Sequence, residues 1–294
     1  MNLPDYLSVD KEKLRRYATD SFFQSAWSGL SGGDARLIAR ELSFVLLKPE
    51  AVLEGRQDDI EDWLESHNYS VVNKFETQLD DSALRALWTY QWELFTPLRL
   101  WAMSRMYNNL TTLVMIVRSN SRVEGEPPCS VRLTEAKGKG TSGAAVKDTL
   151  RNFLGQHNLL LNYIHTPDEP ADVFRELAIL IGPAACEQIL DCRPGADAGA
   201  APAVPTAPNR VRGSVSQDAI RAAMSQYKEA FGFEGRETCL FQKGLAEGSG
   251  DLELLIAVAL TYETDMEVAD ATATFRRSNL GAWAANLNQR KGDQ

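Results

Sequence analysis

Between Arg193 and Gly213 the chain changes character, and that change limits what it can fold into more than any other feature. The run Ala200-Ala201-Pro202-Ala203-Val204-Pro205-Thr206-Ala207-Pro208 carries no apolar period and almost no bulky side chains. It cannot bury enough apolar surface to offset the entropy of ordering it, so it reads as a semi-extended linker. Folded units must therefore be built on either side. The length of 294 residues agrees, being long for one average domain and short for three. The expected division is a helical N-terminal extension over 1–40, a larger domain over 41–192, the linker over 193–213 and a helical domain over 214–294.

Within 41–192 the pattern alternates. Leu42-Ser43-Phe44-Val45-Leu46-Leu47 reads as a buried strand ending at Lys48-Pro49. Ile60 to His67 has a helical period, Tyr69 to Phe75 reads as a strand, and Ser82 to Trp92 and Leu98 to Met106 read as helices. Thr111 to Arg118 is a β-rich apolar strand, Val146 to Leu154 is predicted helical, and Ala171 to Leu180 is a strongly amphipathic helix. Strands separated by helices predict an α+β sandwich with helices covering one sheet. Ahead of it, Leu14, Tyr17, Phe22, Phe23 and Trp27 form a helix-like stripe broken by Gly29, Gly32 and Gly33. That segment is expected to pack on the next domain, with no chemistry assigned to it.

The net charge of -9 argues against nucleic acid or an anionic membrane as a main partner. Phosphates would have to be held by a few focused cations. Cys129, Cys186, Cys192 and Cys239 are scattered, with no C-x-x-C spacing. With no evident signal peptide or membrane-length apolar run, reduced thiols in the cytoplasm are expected. No metal-ligand cluster is visible. His67 and His157 sit in polar surroundings and are expected to be exposed and without partners.

The third histidine is different. Asn162-Tyr163-Ile164-His165 follows the apolar Leu159-Leu160-Leu161 and precedes Thr166-Pro167-Asp168, and Glu176 comes eleven residues later on the amphipathic helix. An imidazole is a competent nucleophile near neutral pH, and a carboxylate can hold its far nitrogen in one tautomer. Together with Lys48-Pro49, this segment resembles the active site of the nucleoside diphosphate kinases, over about 140 residues from Glu41 to Gly182. The resemblance implies a ferredoxin-like βαββαβ sandwich. It also implies roles: His165 as the phosphorylated residue, Glu176 orienting its other nitrogen, Lys48 and Arg151 clamping phosphate, Asn162 on the sugar, Thr141 on the phosphates and Phe95 stacking on the base. A nucleoside triphosphate with magnesium would be the donor, and the family's habit of forming homo-oligomers extends to this chain as an expectation. Such chemistry needs in-line positioning and neutralised charge, which a lysine, an arginine and a fixed imidazole supply.

The departures are specific. Glu135 falls where the family has a second phosphate-clamping arginine, with Lys137 and Lys139 two and four residues on. Pro167 replaces a small hydroxyl residue. Glu50-Ala51 stands where Asp-Gly is usual, and the loop over Ser119 to Ser130 is enlarged and proline-rich.

The tail after the linker resembles acyl and peptidyl carrier proteins, which form small four-helix domains. Ala219 to Tyr227, Leu252 to Tyr262 and Phe275 to Leu287 match helices, and Cys239 to Leu245 the loop before the modified serine. Counting from Phe241 and Leu245 places a phosphopantetheine arm on Ser249; counting back from Leu260 and Glu263 lands on Gly250. Ser249 is equally suited to cap the helix that starts near Asp251. The combination implies a phosphotransferase acting on a small molecule tethered to its own carrier domain, as in natural-product assembly, with partner biosynthetic enzymes and a phosphopantetheinyl transferase. The alternatives are a degenerate kinase-fold scaffold presenting the carrier, and acid/base chemistry by His165 on the tethered substrate.

Overall fold

The computed structural model describes residues 3–183 and 186, except 29, 31, 96–99, 101–102, 105, 109, 122, 124, 140–147 and 157–159. The linker, the carrier-like segment with Ser249, Thr141 and His157 all lie outside the described residues.

The sheet is built around β1 (Leu42–Leu47), in which all six residues are buried. It pairs antiparallel with β3 (Thr112–Ser119) on one side and with the short β4 (Ile164–His165) on the other, and β2 (Tyr69–Thr77) pairs antiparallel with the free side of β3. The resulting order, β2-β3-β1-β4, is what two interleaved β-α-β units give. An apolar run without alternation marks a strand covered on both faces. Phe44 and Leu46 face one core, and Val45 and Leu47 face the other.

The first core is sealed by α1 (Lys11–Tyr17), α2 (Ser21–Trp27), α3 (Gly32–Glu41), α6 (Asp81–Leu87) and α9 (Pro170–Ile181). The second lies under α4 (Pro49–Leu53), α5 (Gln57–Ser66), α7 (Cys129–Lys137) and α8 (Leu150–Leu154). Local chemistry fixes these boundaries. Asp10 accepts from the Glu12 and Lys13 amides, Asp20 from Phe23 and Asp80 from Ala83, each capping a helix. Pro49 and Pro170 occupy first turns, and Glu169 and Asp172 close a reciprocal capping box on α9.

Several elements differ from expectation. The N-terminal stripe is two helices broken at Asp20, and within the second Phe23 is fully buried while its neighbour Phe22 is 38% exposed. The expected helix over Ser82 to Trp92 ends at Leu87 and tightens into a 3-10 turn, Thr89–Leu94, as Trp88 leaves helical backbone and Thr89 donates back to the Arg85 carbonyl at 2.6 Å. Of the helix predicted over Val146 to Leu154, Val146 and Lys147 lie outside the described residues, and from Asp148 on the helix occupies Leu150–Leu154. No helix among the described residues is long and apolar enough to cross a membrane.

Candidate functional site

The site forms where β1 runs out beside β4. Leu46 pairs with His165 and Leu47 with Ile164, and the Lys48 amide then donates to the Tyr163 carbonyl at 2.8 Å. This ladder brings the Lys-Pro step against the Asn-x-x-His step, 114 residues further on for the Lys48–Asn162 pair.

Lys48 is buried, and its ammonium donates to the Leu160 carbonyl and, at 3.1 Å, to Asn162 Oδ1. Glu50 Oε1 lies 3.1 Å from the same Nζ. Three donors thus meet three acceptors. Glu50 is only 1% exposed and its Oε1 also accepts from the Tyr163 amide at 3.1 Å. Glu50 Oε2 has no hydrogen-bond partner among the described residues. Tyr163 needs this bracing because its φ of 63° is left-handed, a costly backbone for a bulky residue. Its hydroxyl donates to Glu54 Oε2 at 2.6 Å, and burial, with Glu54 beside it, pushes its pKa up.

Arg151, on α8, is buried and donates to the Ile164 carbonyl at 2.7 Å and the Gly138 carbonyl at 3.2 Å. Gly138 turns the chain out of α7 at φ 83°, and a Cβ there would meet Thr149 Oγ1 at 2.6 Å. The close approach of the α8 cap to this turn therefore requires glycine.

His165 is held through a single ring nitrogen. Nε2 lies 2.7 Å from Glu176 Oε2, and Nδ1 makes no hydrogen bond among the described residues. The side chain retains 17% exposure. Trp88 meets the ring edge-on at 6.0 Å between centroids and Phe44 tilts against it at 6.3 Å. A carboxylate on Nε2 favours the tautomer whose lone pair is on Nδ1. One nitrogen is anchored and the other kept available.

Five expected residues thus gather on the segment 160–165: His165, Glu176, Lys48, Asn162 and Arg151. Phe95 is half-buried one aromatic ring away, with Trp88 at 6.4 Å between it and the imidazole. Glu135 is half-buried on α7 and Lys139 exposed, while Lys137 is 3% exposed with Nζ 3.4 Å from the Thr166 carbonyl. The Pro167 carbonyl accepts from Thr134, which also bonds Thr166 Oγ1 at 2.8 Å. His67 is exposed as expected but has partners: it stacks on Trp63 at 3.7 Å and Nδ1 lies 2.7 Å from the Trp63 carbonyl. Sequence reasoning missed Trp88 and the strained Tyr163, and it noted Glu50 only as a departure. An acidic residue two positions after the lysine was the one available signal. No cluster of metal-ligating side chains occurs among the described residues.

No protein-family model matches the chain, and no curated protein does. Among solved structures it is similar to nucleoside diphosphate kinases. That of Borrelia burgdorferi with bound vanadate and ADP is 17% identical, with TM-score 0.40 over 47% of this chain and 84% of that one. The apo enzyme of Encephalitozoon cuniculi is 18% identical, with TM-score 0.40 over 48% and 89%. The Aquifex aeolicus enzyme is 15% identical, with TM-score 0.39 over 47% and 93%.

Proposed function

We propose that this chain is a nucleotide-dependent phosphotransferase, resembling nucleoside diphosphate kinase, that works through a phosphohistidine at His165. The supporting observation is the asymmetry of the imidazole: Nε2 held by Glu176 at 2.7 Å and Nδ1 without a hydrogen bond among the described residues. In this reading the Nδ1 lone pair attacks the γ-phosphorus of a nucleoside triphosphate, whose magnesium arrives with it. The Nδ1–P bond forms as the bond to the β,γ-bridging oxygen breaks, and the diphosphate leaves with that electron pair. Glu176 stabilises the charge that develops on the ring. An acceptor oxygen then attacks phosphorus, the N–P electron pair returns to Nδ1, and a hydroxyl acceptor gives its proton to water. Arg151 and Lys48 border the segment as phosphate clamps, Asn162 takes the sugar, and Thr141 and Phe95 complete the nucleotide contacts.

The acceptor in this proposal is a hydroxyl or carboxylate on a small molecule carried by phosphopantetheine on Ser249. Tethering raises its local concentration to roughly millimolar. The cytoplasm is the proposed compartment, in keeping with Cys129 and Cys186 as buried free thiols. The test is an intact mass spectrum of the full chain after magnesium ATP, with and without coenzyme A and a phosphopantetheinyl transferase. An acid-labile phosphate lost in His165→Ala supports the kinase half, and a phosphopantetheine adduct lost in Ser249→Ala supports the carrier half.

One observation favours a second reading. Lys48 is engaged by Glu50, Asn162 and the Leu160 carbonyl, so phosphate would have to compete with a buried carboxylate. A degenerate scaffold that presents the tail to partner enzymes fits that engagement. It is the reading to keep if neither adduct forms.

A further inference from the structure

The N-terminal segment carries no chemistry of its own, yet it supplies charged or hydrogen-bonding partners to three buried charges at the start and middle of α9: Glu169, Asp172 and Arg175. Glu169 is fully buried, and its carboxylate receives Ser8 Oγ at 2.7 Å, the Val9 amide at 3.0 Å and Lys13 Nζ at 2.6 Å. Asp172 is 5% exposed and takes Tyr17 OH at 2.6 Å and Lys13 Nζ at 2.9 Å. Arg175 is 2% exposed, and Nε donates to Asp20 Oδ2 at 2.7 Å. Tyr17 and Tyr90 cover the guanidinium at 5.6 and 4.9 Å, and Tyr90 OH also donates to Asp20 at 3.1 Å.

Arg175 stands between the two groups that confine His165. It precedes Glu176 in α9. Its remaining nitrogens donate to the Ala86 carbonyl at 2.7 Å and the Leu87 carbonyl at 3.5 Å, the last residues of α6 before Trp88. One guanidinium therefore joins the helix that carries the imidazole's carboxylate to the helix end that carries its aromatic wall. Its only carboxylate partner among the described residues is Asp20. A buried charge stripped of its counter-charge must move toward water or take its helix with it.

We infer that the N-terminal helices are a positioning device for the reactive histidine: Asp20 and Tyr17 fix Arg175 and Asp172, and through them hold Glu176 and Trp88 against His165. This rests on the proposed role of His165, and Tyr17, Asp20, Asp172 and Arg175 are positioning residues that touch no reacting atom. Lys13 and Glu169 anchor the same helix from its first turn. Without the N-terminal segment, Arg175 would lose Asp20, and Glu169 and Asp172 would lose Lys13.

The test uses the full chain with 15N-labelled histidine, comparing wild type with Asp20→Asn and Tyr17→Phe. Asparagine keeps the helix cap and loses the charge, while phenylalanine keeps the packing and loses one hydroxyl. The readout is solvent exchange of the His165 ring Nε2–H, with the exposed His67 as internal control of folding. Faster exchange in either variant, by about tenfold or more, with His67 unmoved, is the expected result, because a charged hydrogen bond is worth at least that factor. Unchanged exchange in both folded variants overturns the clamp, as does a wild type with no protected ring proton. If exchange quickens but no variant or wild-type protein forms phosphohistidine, the clamp stands and the phosphotransferase reading falls. Should Asp20→Asn fail to fold, Tyr17→Phe alone decides.

Discussion

The segment 160–166 is held in two different ways at its two ends. At Asn162 and Tyr163 the chain is braced from several sides: Lys48 meets three acceptors, Glu50 bridges to the Tyr163 amide, and Glu54 takes the Tyr163 hydroxyl. Three residues on, His165 is tied through a single nitrogen to Glu176 and keeps partial exposure. The first end spends its hydrogen-bonding capacity on structure. The second withholds one lone pair from the structure. A site that must present a nucleophile in one orientation needs both: a rigid, even strained, base and one unsatisfied atom at its tip.

Breaking the braced end should cost the most. Lys48→Met leaves Glu50 buried with its charge uncompensated, and a loss of about 3–5 kcal/mol is expected in denaturant unfolding. His165→Ala at the open end, where both His165 and Glu176 keep some exposure, should cost less, about 1–2 kcal/mol. Equal losses from the two substitutions would erase the contrast.

Glu176→Gln should do the reverse. Stability is expected to move little, while formation of phosphorylated enzyme slows by roughly a hundredfold, the scale of losing a group that stabilises charge on the ring. Quench-flow with labelled ATP measures it. Gly138→Ala tests how the arginine is delivered. Its Cβ would clash with Thr149 Oγ1 at 2.6 Å from left-handed backbone, so a loss of about 1–3 kcal/mol is expected, together with weaker nucleotide binding if Arg151 serves it.

The smallest effect is in pH. Burial alone would raise the Asp20 pKa, but hydrogen bonds from Arg175, Phe23 and Tyr90 outweigh it and hold the carboxyl below its usual range. A lowered folded pKa contributes stability that is present above the unfolded value of about 3.9 and lost as pH falls through the folded one. Tyr17 runs the other way: burial first, then Asp172, raises its pKa. Its contribution is present below the unfolded value of about 10 and lost as pH climbs past it. Thermal melts should therefore weaken at both extremes, with Tyr17→Phe removing part of the alkaline loss and Asp20→Asn part of the acid loss.

The strands and the amphipathic α9 were legible in the sequence because each rests on local spacing, whereas the pairing of His165 with Glu176 was an expectation from the family resemblance. A strand of five apolar residues and one serine with no polar alternation needs two covered faces. What was not legible depends on contacts between distant parts of the chain. Asp20 and Arg175 lie 155 residues apart, and no pattern in either neighbourhood names the other. The left-handed Tyr163 gives no sign, since tyrosine has no preference for that backbone. Lys48 illustrates a third case, in which position was readable and engagement was not: its three partners come from Glu50 nearby and from residues 160 and 162 across the sheet.

The most direct test of the account is to locate the phosphate. Full-length protein with 15N-labelled histidine would be incubated with magnesium ATP, and the phosphorylated nitrogen identified by phosphorus-nitrogen coupling in NMR. The geometry predicts phosphorus on Nδ1 of His165, opposite the nitrogen held by Glu176. Phosphorus on Nε2, on another residue or nowhere would contradict it.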